Sequence, residues 1–168
     1  MKHAARALVA AALVIAPAAP AAAAAPEVRP IDRDGLSSLL RAQRGRVVVL
    51  NMWATWCEPC REEFPAFVAL DRELRDLGVS VLAVSLDSAS ALETEVRPFL
   101  ASQGASFSCF IKSPGDDDAF INAIDPTWSG ALPATFLYDQ TGRRIQAFSG
   151  TVTLERLRRA VTPLLAKP

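Results

Sequence analysis

Histidine is nearly absent from this sequence: among 168 residues only His3 carries an imidazole, and it stands close to the N-terminus. Beyond that residue there is no group of the kind Ser-His-Asp and Cys-His catalysis require, and none for a histidine metal site. Cysteine is scarce too. Cys57, Cys60 and Cys109 are the only three, too few for a disulfide-stapled miniature scaffold. An excess of one charge is also missing, because 18 Lys and Arg face 18 Asp and Glu; this excludes the basic balance expected of a nucleic-acid binder. Intrinsic disorder is excluded by abundance rather than absence, since 51% of the residues are hydrophobic and their burial offsets chain entropy. The length suits one ordinary domain.

The N-terminus is a separate matter. Lys2, His3 and Arg6 form a positive opening, Ala7 to Ala16 an apolar run, and an alanine-rich stretch broken by Pro17 and Pro20 extends to Ala25. The pattern predicts a secretory signal peptide over residues 1–25, with residues 26–168 as the domain. Cleavage after Ala23 or Ala24 fits better than after Ala25, because Pro26 is a poor residue to follow a cut. An uncleaved membrane anchor is the alternative, although the apolar run is far shorter than the ~20 residues a span needs. Either way the expected location is the periplasm.

Further along, Leu36, Leu39 and Leu40 predict a short helix ending near Gly45. Val47 to Leu50 is a β-branched run of the sort that forms a strand buried on both faces. A helix over Pro59 to Leu77 and a second buried strand over Val79 to Leu86 complete a βαβ unit, hence a parallel pairing. Ala91 to Gln103 is helical, bent or restarted at Pro98. Phe107 to Ile111 is a short strand and Asp116 to Ile124 a short helix. Ala134 to Tyr138 and Arg144 to Phe148 form a hairpin through Gln140-Thr141-Gly142, and a last helix covers Leu154 to Leu165. The fold class is α/β, in one domain.

Trp56-Cys57-Glu58-Pro59-Cys60 joins a buried strand to the start of a helix. There Cys57 faces free N–H groups and the positive end of the helix dipole, which stabilise a thiolate. Three residues are nearly one helical turn, so Cys60 lies within disulfide reach. One thiol attacks a substrate disulfide and the other resolves the mixed disulfide. Half of a zinc site is the rival reading, but zinc needs four ligands and only Cys109 remains, without histidine; no metal is expected. Cys60, Glu63, Phe67, Leu70, Leu74 and Leu77 then step by three and four residues into one stripe, otherwise apolar, facing the sheet. Glu63 therefore falls on the buried side, where a desolvated carboxyl has a raised pKa and accepts the resolving thiol's proton; a plain helix-start acid is its alternative. Glu62, off the stripe, is a solvated acid. Pro65 bends the helix beyond this turn.

Residues Asn51 to Pro65 (NMWATWCEPCREEFP), with Leu132-Pro133-Ala134-Thr135-Phe136-Leu137 downstream, resemble the exported thioredoxin-like reductases of the TlpA/ResA type, over roughly residues 30–166. The resemblance implies a thioredoxin fold, a central mixed sheet flanked by helices, with a central helical insertion over about Ala89 to Pro126. It implies that Pro133 is a cis-proline facing the cysteines and that Leu132 offers backbone hydrogen bonds to an extended substrate. Asn51 stands where cytosolic thioredoxins carry a buried aspartate, and Glu63 resembles the replacement. The insertion is expected to shape the substrate face together with Trp128, and Trp56 to flank the active site, with Trp53 a packing residue.

These readings converge on an exported thiol-disulfide oxidoreductase that reduces protein disulfides; substrates of the cytochrome c or oxidase maturation type and general disulfide repair all stay open. Cys57 is the attacker, Cys60 the resolver, Glu63 the proton carrier, and Trp56, Leu132 and Pro133 the substrate contacts. No cofactor is expected; electrons arrive from a membrane thiol donor, as the family implies, and the protein acts as a monomer. Glu58 places negative charge between the thiols, which opposes the thiolate stabilisation that makes a strong oxidant. A thiol peroxidase is one alternative, but it needs threonine three residues before its cysteine, where this chain has Ala54. A Cu(I) carrier is another, and such carriers add a histidine or methionine that is lacking beside this pair. Cys109 is expected to be a buried small residue, and Asp116, Asp117 and Asp118 a helix cap.

Overall fold

The β-branched run beginning at Val47 extends further than its valines. Strand β2 spans Val47–Trp53, and all seven of its residues are buried. In the computed structural model, which describes residues 27–165, β2 pairs in parallel with β3 (Val79–Ser85) and antiparallel with β5 (Ala134–Tyr138). The expected signal peptide lies outside the described residues.

Three more strands complete a mixed sheet in the order β1-β4-β3-β2-β5-β6: β1 (Val28–Ile31), β4 (Ser108–Lys112) and β6 (Arg144–Ser149). The proline-spaced lead-in carries no strand signal of its own, yet it forms β1. An edge position explains this, because a strand bonded on one side only tolerates the N–H that Pro30 lacks. The β5–β6 hairpin turns at Gly142, whose φ of 84° suits glycine.

Helices cover both faces. Val47, Val49 and Trp53 of β2 pack with Phe64 and Phe67 of α2 (Glu58–Leu74) and with Leu157 and Val161 of α5 (Leu154–Leu165). Val48, Leu50 and Met52 face the other way, toward Leu36 of α1 (Arg33–Ala42) and toward Phe120 and Ile124 of α4 (Asp117–Ile124). A strand sandwiched in this manner needs hydrophobic residues at every position, which is why its sequence does not alternate.

One expectation needs correction. Leu77 does not continue the buried stripe of α2: the α-helix stops at Leu74, a 3-10 turn over Arg75–Leu77 tightens the rotation, and Leu77 is left 63% exposed. The stretch 91–103 is restarted rather than bent: a 3-10 turn (Ala89–Ala91) and a widened π turn (Leu92–Val96) precede α3 (Arg97–Gln103). Pro98 has no N–H for the regular bond, so the helix restarts at its first turn. The presumed insertion also carries β4, placed between β1 and β3 inside the sheet.

Candidate active site

The turn after β2 ends at Cys57, the N-cap of α2, and Pro59 occupies the first turn, where a missing N–H costs nothing. Cys57 and Cys60 form a disulfide with Cα atoms 5.3 Å apart. The Cys60 N–H points at Cys57 Sγ over 3.3 Å, so the sulfur at the cap receives one of the helix's free donors. The two cysteines are not equivalent in access: Cys57 retains 6% exposure and Cys60 none. Trp56, 68% exposed, flanks the pair on the outside, while Trp53 is buried between Phe64 and Phe99, ring centroids 5.0 Å from each.

Glu63 lies one turn below Cys60 with 5% exposure. Its Oε1 accepts from Asn51 Nδ2 at 3.0 Å and its Oε2 from the Val152 N–H at 2.8 Å. Burial outweighs these two hydrogen bonds and pushes its pKa up from 4.5 to about 7. Glu62, the next residue, is exposed. Oδ1 of Asn51 and the Thr135 hydroxyl, register partners across β2 and β5, have no hydrogen-bond partner among the described residues.

The Leu132–Pro133 peptide bond is cis. Because β5 runs antiparallel to β2 with Ala134 opposite Met52, Leu132 and Pro133 stand at the sheet end where the cysteine turn emerges. Leu132 packs against the cluster that holds Cys57 and Cys60, and Pro133 is buried. A cavity of about 540 Å³ opens beside Trp56, walled by Leu86, Ala89, Pro114, Ile121 and Gly130. The segment 89–126 thus does border the reactive end. Trp128 does not: it is turned inward on Phe136, at 5.3 Å between ring centroids, with its indole N–H donated to the Ala131 carbonyl.

Cys109 is buried in β4 and desolvation pushes its thiol up to about 12, far from a reactive thiolate. Asp116 caps α4, accepting from the Ala119 N–H at 2.9 Å.

Sequence reasoning missed two parts of this site. Val152 reaches Glu63 from 89 positions away, with a backbone N–H that no residue type announces. Asp87 is the other: its carboxylate accepts from the Thr55 N–H at 3.0 Å, the Thr55 hydroxyl at 2.6 Å and the Ser85 hydroxyl at 2.5 Å. A polar pair, Ser85-x-Asp87, closing an otherwise hydrophobic strand was the available signal.

Comparison with known proteins agrees with this geometry. Residues 18–146 match the AhpC/TSA family. The thioredoxin-like protein YneN of Bacillus subtilis is 36% identical over 123 residues, 73% of this chain and 68% of that protein. The thiol-disulfide oxidoreductase ResA of Geobacillus kaustophilus is 34% identical over 135 residues, 80% of this chain and 72% of the relative. In fold, the crystal structure of a thiol:disulfide interchange protein of the thioredoxin family from Chlorobium tepidum superposes with a TM-score of 0.65 at 24% identity, covering 90% of this chain and all of that one.

Proposed function

Because the chain belongs to the AhpC/TSA family and is a thiol-disulfide oxidoreductase of the ResA type, we propose that it works outside the cytoplasm as a reductase of protein disulfides. The observation that carries the reading is the asymmetric pair at the start of α2, Cys57 retaining slight exposure and Cys60 fully buried one turn above a buried carboxyl. In the dithiol form, the Cys57 thiolate attacks one sulfur of a substrate disulfide; that bond breaks, one substrate thiolate leaves, and a mixed disulfide forms. Cys60 then gives its proton to Glu63 and attacks Cys57 Sγ. This step releases the second substrate thiolate and closes the Cys57–Cys60 disulfide, so two electrons have passed to the substrate. Trp56, Leu132 and Pro133 line the approach, and a membrane-bound dithiol returns the pair to its reduced form.

The leader over residues 1–25 supports export to the periplasm, with cleavage after Ala23 or Ala24. The likeness to ResA supports substrates of the cytochrome c or oxidase maturation type. A peroxidase reading draws on the family match, but Ala54 and the bonded Cys60 speak against it. The test is reduction of insulin disulfides by the full domain, with hydrogen peroxide as the competing oxidant. Insulin reduction that disappears in Cys57→Ser is the expected result; peroxide consumption without insulin reduction overturns the proposal.

A further inference from the structure

The structure assigns to Asp87 a role the reaction scheme above does not include: it is a positioning residue that anchors the cysteine turn and, with Glu95 outside it, places negative charge beside that turn that disfavours the dithiol form and so makes the pair a stronger electron donor. This inference rests on the reading of Cys57 as the attacking thiolate.

The anchor is built from three pieces of chain. The Leu86 N–H donates to the Trp53 carbonyl at 2.8 Å, so the ends of β2 and β3 are tied together and Asp87 is delivered beside the turn. Its carboxylate, 4% exposed, takes both the N–H and the hydroxyl of Thr55, one on each oxygen. Ser85 adds a third donor and in turn accepts from the Asp87 N–H at 3.0 Å. Two residues after Thr55 comes Cys57, whose N–H closes a turn on the Ala54 carbonyl at 3.2 Å. A fixed Thr55 therefore fixes the approach of Cys57 to its cap position.

The same contacts carry an electrostatic consequence. All three donors to Asp87 are neutral, so they stabilise its charge locally without cancelling its field at a distance. The Thr55 hydroxyl has a single hydrogen, directed at the nearer Asp87 oxygen, while Glu95 Oε2 stands 3.1 Å from the same hydroxyl. Glu58 inside the motif adds a third negative group. Arg61, exposed and over the ring of Phe99 at 5.8 Å, is one opposing cation on this side; Lys112, which lines the same cavity as Asp87, is another and is paired with Asp117. Negative charge near Cys57 disfavours its thiolate, hence the reduced state of the pair, hence the pair gives up electrons more readily.

The experiment is equilibration of the full domain with reduced and oxidised glutathione. The protein disulfide takes two electrons and two protons from two glutathione thiols, giving the protein dithiol and one glutathione disulfide. Asp87→Asn is expected to move this equilibrium about tenfold toward the protein dithiol, about 30 mV, and equally at low and high salt because the group is buried. Glu95→Gln is expected to move it the same way by about threefold at low salt, and not at all near 1 M salt. Asp87→Asn folded but within twofold of wild type, or shifted the other way, overturns the inference. Should Asp87→Asn fail to fold, the exposed Glu95 decides: no low-salt shift overturns it. Insulin reduction by the wild type judges the reductase reading separately, since the variant-to-wild-type ratio holds whichever direction the protein works.

Discussion

Two carboxyl groups flank the cysteine pair at similar burial, and they are held by different donors. Glu63, beneath Cys60, receives one amide N–H and one backbone N–H, a single donor per oxygen, and its pKa stands at about 7. Asp87, beside the turn before Cys57, receives a backbone N–H and two hydroxyls, two of the three from Thr55 alone. Burial by itself therefore does not define what a carboxyl does. A group with two donors whose pKa is near neutral suits proton exchange; one with three donors, two of them from a single residue of the turn, suits holding the chain.

The comparison is broken most directly at Glu63. Glu63→Gln preserves the shape but cannot accept the Cys60 proton, so kcat/KM for insulin reduction at pH 7 should fall about 100-fold, with loss of the inflection near 7 in a profile from about pH 5 to 9. Glu62→Gln, on the exposed face, should remain within about twofold. Equal behaviour of the two variants would remove the proton-carrying role from Glu63.

Stability sharpens the contrast with a smaller effect. The folded pKa of Glu63 lies above its unfolded value, so between 4.5 and about 7 the folded protein binds more protons than the unfolded chain. The contribution of this group is fully present below pH 4.5 and is lost as pH rises through about 7, at most about 3 kcal/mol. Glu63→Gln removes that loss, and Asn51 accommodates it by turning its amide so that the free Oδ1 accepts from the new side chain. Urea unfolding at pH 4.5 and pH 8 should show the variant gaining on the wild type at the higher pH; parallel stabilities at both would contradict the buried titration.

The smallest effect belongs to Thr135, the register partner of Asn51. Its hydroxyl is buried without a hydrogen-bond partner among the described residues. Thr135→Val should be neutral or stabilising by under about 1 kcal/mol, measured by the same unfolding. A clear loss would show that the hydroxyl is bonded to something, such as a buried water shared with Glu63.

The part of this site that spacing could reveal was the part built within one helix. Cys57, Cys60 and Glu63 follow from a three-residue step and an apolar stripe, and the structure places Cys60 and Glu63 on the buried side of α2. Strands β2, β3 and β5 were legible because strands buried on both faces carry continuous hydrophobic runs. What could not be read was set by contacts distant along the chain or by edge positions: the Val152 N–H, the Asp87 clasp, and β1, where a proline spoils the local signal but not an outer strand. Leu77 marks a different limit, since a helical stripe extends only as far as the helix does.

That outer strand has one more consequence. Val28 of β1 stands in register with Cys109 of β4, on the flank of β4 opposite β3. A third cysteine is a hazard in any compartment that oxidises thiols, because it offers the redox pair an alternative bonding partner. Buried in the same core cluster as Val28 and pushed up to about 12, the Cys109 thiol is withdrawn from that competition. The modest edge strand thus has a share in keeping the two redox cysteines paired with each other.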